Sequence, residues 1–312
     1  MVEFLTSLAG NRAASTMKGY VTAISKRHHW VDGVPLSLHP TVTQWLKGYE
    51  KGHGLERVLV PPWDLELVLS ALKKPPFEPI GEASDKLLTW KAIFLVAIAS
   101  ARRAGELQAL SVKSPYLSFS ASGVTLFPRV DFLPKVASRF HVSQPLELPS
   151  FHAERDRDVR LLCARRVLKL YVERTRNYRR PGVTQLFIAY GGSKRGSAVS
   201  KRRVSAWLVE TVAFAYQCLG LPAPEGVKGH QTRSQATSWA EMAGVDPQTL
   251  CNAATWSSSC VFAKHYRLDL VAKARSDFGR RVLMAAGSSA ADPAPADRSR
   301  RGASSSRSFP HS

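Results

Sequence analysis

Three short stretches of this sequence carry side chains able to act together on an anion. Ser100-Ala101-Arg102-Arg103-Ala104-Gly105-Glu106-Leu107 sets an arginine pair directly after a long apolar run, with a carboxylate three residues beyond Arg103. Residues three apart on a helix share a face, so Glu106 can hold the Arg103 guanidinium in one orientation. Gly229-His230-Gln231-Thr232-Arg233 opens a helical segment with His230 and Arg233 again three apart. An imidazole, a guanidinium and the free N–H groups of a helix start, gathered around one point, suit an anion. Trp256 is followed ten residues later by Tyr266, which stands between His265 and Arg267. A phenol titrates near ~10, so Tyr266 becomes a competent nucleophile only where positive charge stabilises its phenolate. Taken singly, each stretch has a plainer reading: a surface ion pair, a capped helix, an amphipathic aromatic.

Taken together, in the order Arg103, His230-x-x-Arg233, Trp256, Tyr266, the set resembles the tyrosine recombinase (phage integrase) family. That family's signature is Arg-x-x-Glu, a lysine in a β-turn, His-x-x-Arg, a His or Trp, and a tyrosine about ten residues on. The resemblance covers residues 61–270, with a weaker match of residues 1–54 to the family's helical core-binding domain. From His230 through Trp256 to Tyr266 it is most similar to the recombinases of DIRS-type tyrosine-recombinase retrotransposons. The resemblance implies a mainly α fold with a small antiparallel β-sheet: a helical core-binding domain plus an α+β catalytic domain. It implies that Tyr266 attacks a DNA phosphate, forms a 3′-phosphotyrosine and releases a 5′-hydroxyl. Arg103 and Arg233 would bind the non-bridging oxygens as planar forks, with Glu106 bracing Arg103. His230 could relay the tyrosine proton or donate to the phosphate. Trp256 offers only an indole N–H, so it bonds the phosphate or packs, but shuttles no proton. Lys135, between two expected strands, corresponds to the lysine that protonates the leaving oxygen; its plainer reading is an ordinary turn residue. Two competing readings are a DNA-binding remnant that no longer exchanges strands and, less favoured, a type IB topoisomerase.

These side chains need elements to position them. Helical spacing predicts short helices in residues 2–8, Thr16 to Trp30 and Thr41 to Tyr49, the last opened by Pro40. Asp64 can cap a helix through Leu72, and Trp90 to Ala101 is apolar nearly all round, the pattern of a buried central helix. Val124 to Phe127 and Pro145 to Leu148 read as strands. Helices are expected again at Asp158 to Arg174, Lys201 to Leu219 and through most of Ser234 to Met284. The expected organisation is a short core-binding domain (1–54), a linker (55–62), a catalytic domain (63–286) and a disordered Ser/Arg-rich tail (287–312).

Charge points to the partner. Among 312 residues, 44 Lys+Arg oppose 24 Asp+Glu, a net charge of +20, while 44% of residues are hydrophobic. A chain this apolar folds, so its excess charge calls for a polyanion: nucleic acid first, an acidic membrane surface second. Arg165, Arg166 and Lys169 form one basic run and Lys201, Arg202 and Arg203 another, each either a solvated helix face or a set of phosphate contacts flanking the site. The longest apolar run, Ala92 to Ala101, is about half a bilayer span, and residues 1–10 lack the features of a signal peptide. Cys163, Cys218, Cys251 and Cys260 are widely spaced, without metal-binding pattern. The expectation is therefore double-stranded DNA as partner, self-association on it as a dimer or tetramer, no cofactor, no metal and no membrane. The location would be nuclear if the source is eukaryotic and cytoplasmic otherwise.

Overall fold

The computed structural model describes residues 1–10, 12–53, 61–134, 144–256 and 258–268. The chain divides into two units, Met1–Leu59 and Val60–Ser312. In the first, α1 (Val2–Ser7), α2 (Ala14–Ser25) and α3 (Pro40–His53) close over Leu5, Met17, Val21, Leu36, Val42 and Tyr49. Pro40 opens α3, where its missing N–H costs no helical bond. Helix α2 stops five residues short of the expected Trp30. The reason is local. Asp32 and Gly33 both take positive φ (52° and 76°), and Val31 and Val34 exchange two backbone hydrogen bonds of 3.0 Å. This tight reversal pulls the chain out of the helix before Trp30.

The second unit is laid around one buried helix. Asp64 caps α4 (Leu65–Leu72), accepting a 3.2 Å bond from Leu67 N, and Ser84 caps α5 (Asp85–Ser100) through Leu87 N at 3.3 Å. Every residue from Leu88 to Ala97 is buried, so α5 is covered on all sides. Its neighbours are α8 (Ala164–Arg176), α9 (Lys201–Cys218), α10 (Gln231–Met242) and strand β3 (Leu146–Pro149). Strands β1 (Leu117–Phe119), β2 (Gly123–Leu126) and β3 form an antiparallel sheet in that order, with Val124 facing Leu148 and Leu126 facing Leu146. Those four side chains are the buried face, the alternation expected of strands covered on one side.

One long helix expected from the sequence is broken, and the helices expected after Ser234 are resolved into three. The segment from Asp158 becomes α7 (Arg157–Leu161) and α8, because Cys163 between them is extended and buried, its Sγ accepting a 3.3 Å bond from Phe151 N. The run after Ser234 becomes α10, α11 (Pro247–Ala254) and α12 (Ser259–His265), divided at Gly244 (φ 84°) and Thr255 (φ 51°). The remaining expected helix beyond Leu268, the tail from Gly287 and most of the linker lie outside the described residues. Among the described residues no helix is long and apolar enough to cross a membrane.

Beneath α5 lies a charge the sequence does not announce. Lys91 is 0% exposed, and its Nζ donates to Leu72 O at 2.6 Å and to Glu78 Oε1 at 2.5 Å. Arg166 donates to the same carboxylate oxygen. Burial pushes the Lys91 ammonium down to about 8. Burial works against the Glu78 carboxylate too, but the bonds from Lys91 and Arg166 outweigh it and hold its pKa below the usual carboxylate range. Removing one partner would strand a buried ion. Glu78→Ala should therefore cost about 3–5 kcal/mol in urea unfolding, whereas Glu78→Leu combined with Lys91→Met should cost clearly less. A smaller loss from the single variant than from the double would show that the pair is not what holds α5 here.

Candidate functional site

Helix α5 ends at Ala101 in the left-handed conformation (φ 50°, ψ 24°), and the chain turns sharply into α6 (Ala104–Gln108). Arg103 is the residue before α6, not part of it. Its backbone N–H donates to Glu106 Oε2 at 3.4 Å, and its guanidinium Nη1 donates to Oε1 at 3.2 Å. Glu106 thus holds both the turn and the side chain of Arg103. Arg102, 7% exposed, lies 3.7 Å from the same carboxylate. Arg102 is a second partner of Glu106 that the spacing of Arg103 to Glu106 does not by itself reveal.

Arg233 lies one turn into α10 and is 1% exposed. Its Nη1 donates to Ala101 O at 3.1 Å, and its Nη2 donates to Ala254 O. Both acceptors stand where a helix ends in the left-handed conformation: Ala101 closes α5, and Ala254 precedes Thr255, which closes α11. Such an end leaves carbonyls without a helical partner, and here two helices offer theirs to one guanidinium. Two aromatic rings cover it. The Arg233 guanidinium carbon is 4.8 Å from the centre of the Trp256 ring and 5.2 Å from that of Tyr266. The two rings are 4.8 Å apart, and Phe262 backs Trp256 at 5.6 Å. At these distances the ring faces attract the cation.

The electrostatics favour an incoming anion. Arg102, Arg103 and Arg233 share one nearby carboxylate, Glu106. Burial, then Arg103, lowers the Arg233 pKa, against the pull of Glu106 and Tyr266. A guanidinium stays charged through such a shift, so the repulsion persists until a negative group enters. Arg233 Nε and Trp256 Nε1 are buried with no hydrogen-bond partner. The indoles of Trp63, Trp90 and Trp207 share that condition, so the Trp256 N–H says little by itself. A buried guanidinium N–H beside it is more costly to leave unpaired.

His230 stands immediately before α10. Gly229 lets this turn press on α9: a Cβ there would sit 2.8 Å from the Ser205 carbonyl oxygen. Lys228 N donates to Gln231 Oε1 at 2.7 Å, and Thr232 Oγ1 donates to Gly229 O at 2.8 Å, which fixes the turn from both sides. His230 lines one groove with Lys201, Arg202, Lys228 and the start of α6. The segment around Tyr266 is tied to α10 as well. Ser238 Oγ donates to Tyr266 O at 3.4 Å and accepts from Leu268 N at 2.9 Å, while Arg267 Nε donates to Glu241 Oε2 at 3.0 Å.

The structure thus gathers Arg103, Glu106, Arg233, Trp256 and Tyr266, with His230 one turn before Arg233. Lys135 lies outside the described residues. The two basic runs separate. Lys201 and Arg202 line the groove at His230, but Arg203 pairs with Glu210 at 2.9 Å. Arg165, Arg166 and Lys169 line a different cavity beside α8, and Arg166 is already committed to Glu78 and to Leu161 O. Arg166 and Arg203 thus each have a carboxylate partner within the protein, Glu78 and Glu210. Among the described residues no group of three or more His, Cys, Asp or Glu side chains is placed to hold a metal ion.

No family model and no curated protein matches this sequence. Solved structures do match in fold. The XerH site-specific recombinase bound to palindromic difH substrate, in a post-cleavage complex, aligns with a TM-score of 0.53 and 16% identity, over 91% of this chain and 70% of that one. The pre-cleavage complex of XerH with difH aligns at 0.51 and 15%, over 93% and 70%. The mainly helical fold with its small three-stranded antiparallel sheet matches that of tyrosine recombinases.

His230 provides a direct check on this electrostatic picture. Burial, and then the Lys228 ammonium, lowers its pKa from the ordinary 6.5. Its imidazole should titrate below that value by NMR, and Lys228→Ala should raise the midpoint. An unchanged midpoint in the variant would remove Lys228 from the site.

Proposed function

We propose that this protein cleaves and rejoins DNA strands at specific sites through a covalent intermediate on Tyr266. The observation that carries this reading is the stacking of a tyrosine and a tryptophan on a buried arginine whose charge repels a second arginine. A phosphodiester is the ligand that answers it: an anion with two non-bridging oxygens for two guanidinium forks, and a phosphorus for the phenol to attack. In the proposed step the Tyr266 oxygen forms a P–O bond as the bond from phosphorus to the 5′-oxygen breaks. The phenol proton leaves to a base, for which His230 in its neutral form is suited, and the 5′-oxygen takes a proton from an acid, the role proposed for Lys135. Reversal by a 5′-hydroxyl rejoins the strand without another energy source.

Arg233 is 1% exposed, so phosphate reaches it only when the Tyr266–Trp256 layer shifts. DNA docking and release of the nucleophile are then one event. Lys201, Arg202 and Lys228 in the groove at His230 would meet backbone phosphates next to the scissile one. The fold likeness to XerH, described as bound to its difH substrate before and after cleavage, supports the reading. The same reading makes the first unit a core-binding domain and residues 63–286 the catalytic domain. It makes the protein self-associate on DNA and, through the stretch from His230 to Tyr266, makes it the recombinase of a DIRS-type mobile element, nuclear in a eukaryote. The covered state of Arg233 favours one second reading, a DNA-binding remnant in which the layer never opens.

A nicked duplex that loses its short strand on cleavage separates the two. Denaturing electrophoresis should show a protein–DNA adduct with the wild type and none with Tyr266→Phe, which should bind DNA normally. Arg103→Ala and Arg233→Ala should each slow adduct formation by at least ~100-fold, the scale of a lost partner for transition-state charge. No adduct from the wild type would leave the remnant reading standing; an adduct from Tyr266→Phe would remove Tyr266 as nucleophile.

A further inference from the structure

Away from that site, the cavity between the end of β3 and helices α7 and α8 is lined by Arg157, Arg160, Arg165, Arg166 and Lys169, with Glu173 as the one carboxylate. It shares no lining residue with the groove at His230. Its volume, about 450 Å³, is within the ordinary range for a small-molecule site. We propose that it is a second anion site, built for the phosphate of a nucleotide, and independent of the reaction proposed for Tyr266.

The argument begins with how the cations are held. Arg160 Nη1 donates to Glu154 O at 2.7 Å and to Arg155 O at 3.2 Å. Arg165 Nε donates to Ser120 O at 2.6 Å. These acceptors are neutral carbonyls, so they fix each guanidinium in place without cancelling its charge. Arg166 alone has its charge met, by Glu78. Four cations then face Glu173 around a partly enclosed space, an arrangement that costs free energy while empty and is relieved by an anion. The fixed guanidiniums have already lost the freedom that binding would otherwise remove, and each retains N–H donors in a planar fork suited to phosphate.

The apolar part of the lining decides between phosphates. Phe151, Leu161 and Leu170 border the same cavity. A bare phosphate ion would leave them idle, whereas a nucleotide places its base against an aromatic and two aliphatic side chains. Cys163, buried between α7 and α8, ties this wall together through its bond from Phe151 N. A free nucleotide and an unpaired unit of a nucleic-acid strand present the same chemistry to this lining.

The test uses the full chain with two probes, adenosine 5′-monophosphate and a short single-stranded DNA. In the wild type, mass spectrometry after treatment with an arginine-selective dicarbonyl should show Arg160 and Arg165 protected by at least one probe. Arg157→Ala combined with Lys169→Ala changes two exposed side chains and leaves the bonds of Arg160 and Arg165 in place. It should weaken adenosine monophosphate binding by about 10-fold or more if the source is a free nucleotide. If the source is a strand, it should instead lower the salt slope of single-strand binding by about 1–2. Either loss, with protection, supports the site and names its source. Absence of protection by both probes, or wild-type binding of both by the double variant, overturns it.

Discussion

One buried guanidinium organises the second unit. Arg233 is bonded by carbonyls at the ends of α5 and α11, covered by Trp256 and Tyr266, and repelled by Arg103. A charge so far from water is costly unless it is hydrogen-bonded, and here Nη1 and Nη2 meet carbonyls because two helices end in left-handed turns, while Nε is left unpaired. Ala101 and Thr255 carry side chains in a backbone region that favours glycine, at a cost of about 1–2 kcal/mol each. That strain stands beside the candidate site, where the carbonyls it presents have a function. The arrangement also explains why α10 matters beyond its own packing: it carries Arg233, follows directly on His230, holds the backbone on both sides of Arg267 through Ser238, and holds the Arg267 side chain through Glu241.

Around this point charge is handled in three ways. Lys91 and Arg166 share Glu78, and the burial of Lys91 makes this cluster part of the framework around α5. Arg102 and Arg103 share Glu106, a half-neutralised pair that is fixed but still attractive to an anion. Arg160 and Arg165 are fixed by carbonyls and not neutralised at all. A net charge of +20 is therefore not one uniform basic surface. It is divided among cations that differ in burial and in whether a carboxylate or a carbonyl holds them.

The likeness to XerH is one of fold, at 16% identity over 91% of the chain. That level is what packing constraints alone can preserve: a buried α5, a three-stranded sheet against α5 and α8, and α9 and α10 on its other sides.

Much of this was legible in the sequence, for physical reasons. The apolar run at Trp90 to Ala101 had to be a covered helix, and the alternation at Val124 and Leu126 a strand with one buried face. Asp64 and Pro40 marked helix starts because capping and a missing N–H act locally. The spacing of Arg103 to Glu106 was enough to foresee their ion pair. What the sequence could not decide was where separate segments meet. The halt of α2 at the Asp32-Gly33 reversal and the break at Cys163 depended on turns and burial that override helical periodicity. Lys91 is the one charge in the run expected to be buried, and its partner is not visible until Glu78, thirteen residues away, is folded against it. Likewise Arg165 and Arg166 look alike on one helix face, yet one meets a carbonyl and the other a carboxylate. Local propensity sets the elements; only tertiary packing selects each charge's partner, because Coulomb and hydrogen-bond energies depend on distance in space and not along the chain.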